Sequence, residues 1–360
     1  MQQPSTAPTG SITHPKGSDG AKACVDRARF AAIGRQLLVN DFGISADRVR
    51  NVTFALFFPE AAVSRKFGTA LEYLASHGFH PIYGGSIDIC FDTVATIRSH
   101  DEQAPKELPP LLVRVMRMIF EQGVSPMVIM LEKPGCKDAC ASSLLSRSKG
   151  SVFKGDRRQD HLRTVLGSKC AAFKFLHAPD HSDALMWELG ILHLAHPDLH
   201  NLMRRYDSRD DALHHIAETL TTQPFNPLTL SQSVTRTRDV LKQTEPGTHA
   251  LGQELDRLIA VGQGDWSELI VGLEALGGSV QVDPWDVITL AAHFTQVDWS
   301  RDLSELKHQY RAMAAHDQTQ ALRLIYDTLR DRGFRGDWPL FLNSCAALDA
   351  QEQSGACDQT

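Results

Sequence analysis

Residues 51–58 read Asn-Val-Thr-Phe-Ala-Leu-Phe-Phe, a β-branched and aromatic run closed by Pro59, and behind it Val63, Phe67, Ala70, Leu71 and Leu74 recur at helical spacing up to Gly78. The run predicts a strand, and the spacing an amphipathic helix stopped by glycine. Residues 79–92 continue as a second strand, with Gly84-Gly85 marking a bulge or bend; 111–120 form a helix carrying Leu112, Val115, Met116 and Ile119; and 125–131 form a third strand. A fourth apolar run, 170–176, gives way to Asp180 and Ser182, both helix-capping types, and then to a segment of helical period from 183 onward. Ahead of the first strand, 21–40 predicts a helix with Phe30, Ile33, Leu37 and Leu38 on one side.

After residue 221 strand-like runs disappear. Pro224 and Pro227 mark a junction, and apolar residues at helical spacing predict helices near 248–261, 266–276, 284–294, 303–314 and 318–332, with Gly277-Gly278, Gly333 and Gly336 as stops. The chain therefore divides into a Ser/Thr/Pro/Gly-rich disordered tail (1–20), a helical extension (21–50), an α+β domain (51–221), an all-α domain (222–345) and a loose polar tail (346–360). The helical domain shows no repeat of fixed period and no catalytic motif, which makes packing or partner binding its default role.

Composition narrows the class further. At 360 residues, 42% hydrophobic and 22% charged, the chain has the make-up of a soluble globular protein, and a net charge of −6 argues against general nucleic-acid binding. Seven cysteines without a repeated spacing fit a reduced, cytoplasmic protein, and Cys136 and Cys140 lack the second pair that a structural zinc site needs. No stretch has the apolar core of a signal peptide or the length to span a membrane. His193, His196 and His200, with Asp198 between them, have a metal-like spacing, but Pro197 interrupts any shared helix, so they read as surface residues and no metal site is expected.

The candidate chemistry lies where the fourth strand meets its helix. His177, in Lys174-Phe175-Leu176-His177-Ala178-Pro179-Asp180, is placed at the carboxyl end of a strand beside a helix amino terminus, a position that suits a nucleophile handling phosphate. Glu188, eleven residues on and about three helical turns along, can look back at the imidazole and fix one ring nitrogen. Between the third and fourth strands, 142–163 holds Arg147, Lys149, Lys154, Arg157, Arg158 and Arg163 against only Asp156 and Asp160. Such a cluster can cradle a triphosphate, Arg by bidentate contacts and Lys as a point charge; the plainer alternatives are a solvated basic loop and a histidine that merely closes a strand.

These residues together resemble the signature of the nucleoside diphosphate kinases, over about residues 51–194. In that family a phosphorylated histidine ends a strand, an acid eleven residues downstream orients it, and an arginine thirty residues upstream, here Arg147, contacts phosphate. Arg163 falls within one residue of a second phosphate-binding arginine. The resemblance implies a ferredoxin-like antiparallel sheet with helices, and transfer of a phosphoryl group from a Mg²⁺-bound nucleoside triphosphate such as ATP through His177 to a nucleotide or related acceptor. Glu188 would be the orienting acid, with Lys149, Lys154, Lys174 and Asp180 joining the two arginines around the phosphates. It also leaves room for homo-oligomer formation through the kinase-like domain. The family's Lys-Pro-Asp at the end of its first strand is Phe58-Pro59-Glu60 here, its asparagine three residues before the histidine is Lys174, the serine two residues after it is Pro179, and one family tyrosine has no counterpart. Two readings follow. Either Lys174 or a basic-segment lysine such as Lys149 or Lys154 takes over the missing cation's task in a phosphotransferase, or the domain is a non-catalytic nucleotide-binding or assembly module for the helical part.

Overall fold

The computed structural model describes residues 20–99, 110–151, 158–168, 172–243, 248–261, 266–275, 282–294, 306–331, 342 and 345. Strands β1 (Val52–Phe57), β2 (His80–Ser86), β3 (Met127–Glu132), β4 (Leu176–His177) and β5 (Arg204–Arg205) form one open sheet in the order β4-β1-β3-β2-β5, every neighbouring pair antiparallel. Helix α1 (Gly20–Gln36) precedes the strands, and between them lie α2 (Pro59–Val63), α3 (Phe67–Ser76), α4 (Phe91–Ser99), α5 (Pro110–Phe120), α6 (Ala141–Lys149), α7 (Leu162–Val165), α8 (Ser182–Ala195) and α9 (Leu199–Leu202). The later part is helical: α10 (Arg209–Thr221), α11 (Leu230–Gln243), α12 (His249–Val261), α13 (Trp266–Ala275), α14 (Pro284–Phe294), α15 (Arg311–Ala314) and α16 (Gln318–Asp331). This is an α+β protein with an all-helical later part. Among the described residues no helix is long and apolar enough to cross a membrane.

The β-branched and aromatic run of the first strand has a structural cause. Every residue of β1 is buried, because both faces of the sheet are covered. Val52, Phe54 and Leu56, with Val128 and Met130 of β3, pack beneath Leu37, Leu38, Leu185 and Leu189. Ala55 and Phe57, with Ile129 and Leu131, face the other way onto Leu71 and Leu74 of α3 and Val115 and Ile119 of α5. That second core runs on without a break into Leu255, Leu258, Ile270, Trp285 and Ile288 of the helical part.

Helix α1 lies along α8, the helix that follows the candidate site, and the two approach closely enough to require glycine on both. A methyl at Gly190 would stand 2.0 Å from the Phe30 carbonyl oxygen, and one at Gly34 would stand 1.9 Å from that of Met186. Backbone cannot yield as a side-chain tip can, so Gly190→Ala is expected to force the helices apart and lower unfolding stability by at least about 2 kcal/mol in chemical denaturation, the middle of the usual cost of overpacking.

Beside that shared apolar core, the join between the sheet region and the later helices carries a polar network. Arg65, in the left-handed region at φ +57°, donates to the carbonyls of Ala62, Gln223 and Pro224, while Asn226 takes the Val63 carbonyl through its own amide. The Asn226 side chain donates to Asp283 and to buried Asp286, which also binds Ser233 and Arg236. The expected junction near Pro224 and Pro227 thus holds a hydrogen-bonded corner.

Several expected elements differ in extent. The first helix ends at Gln36 and continues as one π-helical turn, Leu37–Asp41, and the second strand stops at Ser86, where 91–99 turn into α4. The polar segment before the fourth strand contains two helices, α6 and α7, and α11 precedes the helices expected from 248 onward. The fourth strand pairs only at Leu176 and His177; residues 169–171 lie outside the described set, and Phe175, at φ +64°, turns the chain out of the ladder. Neither Asp180 nor Ser182 caps α8. The cap is His181, whose Nδ1 accepts the Ala184 amide at 3.1 Å.

Candidate functional site

His177 is the last residue of β4, opposite Leu56 of β1, and its ring tilts toward Phe54 with centroids 6.4 Å apart. Its Nε2 lies 2.7 Å from Oε2 of Glu188, which α8 carries on its buried face; the His177 side chain is 27% exposed and that of Glu188 4%. Among the described residues Nδ1 has no hydrogen-bond partner. A carboxylate at Nε2 favours the tautomer with its proton there, which leaves the lone pair on Nδ1.

Two buried cations brace the backbone on either side of this histidine. Arg163, on α7, donates through Nη2 to the Leu176 carbonyl at 3.0 Å and through Nη1 to the Gly150 carbonyl at 2.6 Å. Lys149, at the end of α6, donates to the Ala178 carbonyl and pairs with Asp180 at 2.8 Å. Gly150, at φ +77°, closes α6, and a side chain there would run into the His161 ring. Arg163 and Lys149 therefore hold the residues just before and just after His177, which gives them a positioning role beyond any phosphate contact.

Burial lowers the Lys149 ammonium, while the Asp180 charge opposes that shift. Burial alone would raise Asp180, but the Lys149 charge and hydrogen bonds from Lys149 and Ser146 pull its carboxyl down to about 2. A depressed carboxylate stabilises the fold fully above its ordinary pKa near 4 and loses that contribution as pH falls through the folded value. Asp180→Asn should therefore flatten the loss of stability between pH 4 and pH 2 and cost about 1 kcal/mol at neutral pH, a modest figure because Asp180 is half exposed. Acid titration followed by circular dichroism measures both.

Lys174 stands three residues before His177, half-buried, with its ammonium 5.5 Å above the centre of the Phe58 ring. Phe58 is 2% exposed and also meets Phe120 edge-on. Glu60, the first-turn acid of α2, is buried, and its Oε1 accepts the Phe175 amide at 3.0 Å while the Phe58 amide donates to the Phe175 carbonyl. These two bonds hold the left-handed turn that carries Lys174.

Of the other predicted site residues, Arg147 is exposed on α6, and Lys154 lies outside the described residues. Tyr73 of α3 clamps the basic segment by donating to the carbonyls of Ser148 and Asp160. Sequence reasoning missed the part played by Glu60, whose only signal was an acid set directly against an apolar strand end. It also missed Ser143 and Ser146, which hold Asp180 from α6. Among the described residues no three His, Cys, Asp or Glu side chains converge as metal ligands would; His196 instead bonds the Asp88 carbonyl.

Comparison with known proteins found no matching family model and no curated protein of significant similarity.

Proposed function

We propose that this chain is a nucleotide-dependent phosphotransferase resembling the nucleoside diphosphate kinases, with His177 as the nucleophile. The carrying observation is the Glu188 carboxylate 2.7 Å from Nε2 of a strand-end histidine whose Nδ1 has no hydrogen-bond partner among the described residues. The strand order β4-β1-β3-β2, antiparallel throughout, supports a ferredoxin-like core, with β5 added at the far edge.

In this reading Nδ1 of His177 attacks the terminal phosphorus of a nucleoside triphosphate that enters with its Mg²⁺ as substrate. The bond to the bridging oxygen breaks, the nucleoside diphosphate leaves, and the proton on Nε2 stays hydrogen-bonded to Glu188, whose charge stabilises the cationic phosphoimidazole. An acceptor oxygen then takes the phosphoryl group and His177 is regenerated. Lys174 supplies the cation that Phe58 cannot, from a position over the Phe58 ring, and exposed Arg147 contacts the outer phosphates.

The second reading, a nucleotide-binding or assembly module without turnover, draws support from Arg163, which donates to two backbone carbonyls, and from the apolar Phe58. Incubation with Mg²⁺ and γ-labelled ATP separates the two. The phosphotransferase leaves an acid-labile, base-stable label on the protein, as a phosphoimidazole must; no label from any common nucleoside triphosphate would leave the module reading standing.

A further inference from the structure

Two groups of opposite charge flank the turn at Phe175 that leads into His177, and each is incompletely paired among the described residues. Among the described residues the buried Oε2 of Glu60 has no hydrogen-bond partner, while Oε1 is committed to the Phe175 amide. The Lys174 ammonium makes no hydrogen bond or ion pair among the described residues and has only the Phe58 ring beneath it. The groups whose charges reach Lys174 are Arg163 of α7, Arg98 of α4 and Lys149 of α6, all cationic, and Glu60 of α2; Lys66 lies nearby, over the Phe175 ring. Among the described residues Lys174 is thus an unpaired cation among cations with one carboxylate for company, an arrangement that a bound phosphoryl dianion would complete.

We propose that Glu60 and Lys174 form a proton-coupled phosphate site, in which Lys174 takes up the phosphoryl group together with a proton from solvent, and Glu60 is the positioning residue that sets how readily that proton is bound. This deepens the phosphotransferase reading and rests on it for the identity of the anion. The titration behaviour of the pair agrees with the geometry. Burial, with repulsion from Arg163 and Arg98, brings Lys174 down to about 7, and burial pushes Glu60 up to about 7. An ammonium destabilised in the free protein is neutral above that value, and a dianion against it restores its affinity for a proton. Binding therefore draws in a proton on the alkaline side of pH 7. The same cluster favours anions most when slightly acidic.

The test is isothermal titration calorimetry of the full chain with Mg²⁺–ATP at pH 7.5, in buffers of different ionisation enthalpy, where the Mg²⁺-bound triphosphate is fully ionised. The expected result is net proton uptake on binding, shared between Lys174 and Glu60, with Kd rising several-fold between pH 7.5 and 8.5. Lys174→Met should lose the lysine's share of that uptake and weaken the pH dependence, and the difference from wild type assigns that share to Lys174 and not to the neighbouring imidazole. Glu60→Gln keeps an acceptor for the Phe175 amide but removes the charge, so it should move the uptake profile to lower pH, a change that a merely structural role would not produce. Tight binding with no proton uptake, or uptake unchanged in Lys174→Met, overturns the pair while leaving the labelling of His177 intact. Absence of Mg²⁺–ATP binding overturns the pair and the nucleotide reading together, and His177 labelling, measured separately, distinguishes these failures.

Discussion

Substituting His177 by alanine is expected to abolish phosphoryl labelling of the protein from Mg²⁺–ATP, and Glu188→Gln is expected to slow it by about a hundredfold or more. The two effects have different origins. Alanine removes the nucleophile, whereas glutamine keeps the size and one hydrogen bond but withdraws the negative charge that holds the imidazole and balances the cation formed as phosphorus is attacked. Because Glu188 is buried and its carboxylate touches Nε2 directly, that charge is poorly screened by water, and its loss should fall on the rate of labelling more than on nucleotide affinity. Rapid-quench labelling with γ-labelled ATP measures both variants. Label retained in His177→Ala would place the phosphate elsewhere, and equal rates in Glu188→Gln and wild type would remove Glu188 from the mechanism.

Phe58→Lys, which restores the cation found at this strand end in the family that the sequence resembles, is expected to destabilise the fold by about 3 kcal/mol or more and to raise no turnover. The Phe58 ring is fully enclosed, edge-on to Phe120, and it is the surface on which the Lys174 ammonium rests. A lysine there would lose the aromatic packing and the cation–π contact. It would also put a desolvated ammonium against Lys174 in a pocket already facing Arg163, Arg98 and Lys149. Thermal unfolding and a nucleoside diphosphate kinase assay check the two halves. Unchanged stability with clearly raised turnover would mean that the site has only lost a lysine and has not been rebuilt around Phe58 and Lys174.

Much of the core was legible in the pattern of residues. β1 and β3 announced themselves as β-branched and apolar runs because both faces of the sheet are covered, and α3 and α5 because their buried faces recur at helical spacing, whereas α8 is buried all round from Ala184 to Leu192. The spacing of His177 and Glu188 predicted their contact, although the path differs: a non-helical turn over 178–181 and fewer than two turns of α8, not three turns of helix, bring the acid back to the strand end. Other features depend on tertiary context that a linear pattern does not carry. The Ser-rich 141–149 looked like a loop, as serine competes for its own backbone, yet buried Ala141, Ser142, Leu145 and Lys149 hold it as a helix. Phe173 and Phe175 alternate with Lys174 and Leu176 as a strand would, and nothing in that alternation reveals the left-handed turn at Phe175 that Glu60 and the Phe58 amide hold in place. Arg163 and Lys149 were readable as cations near phosphate. Their bonds to the carbonyls flanking His177 were not, because these join residues 13 and 29 positions apart.

The claim on which the rest depends is that Glu188, by occupying Nε2, makes Nδ1 the reacting nitrogen of His177. The most direct measurement is heteronuclear NMR of the phosphorylated protein with nitrogen-labelled histidine, where coupling between phosphorus and nitrogen identifies the bonded atom. The account predicts one phosphohistidine, at His177, with phosphorus on Nδ1 and the Nε2 proton still hydrogen-bonded to Glu188. Phosphorus on Nε2, or on any histidine other than His177, would contradict it.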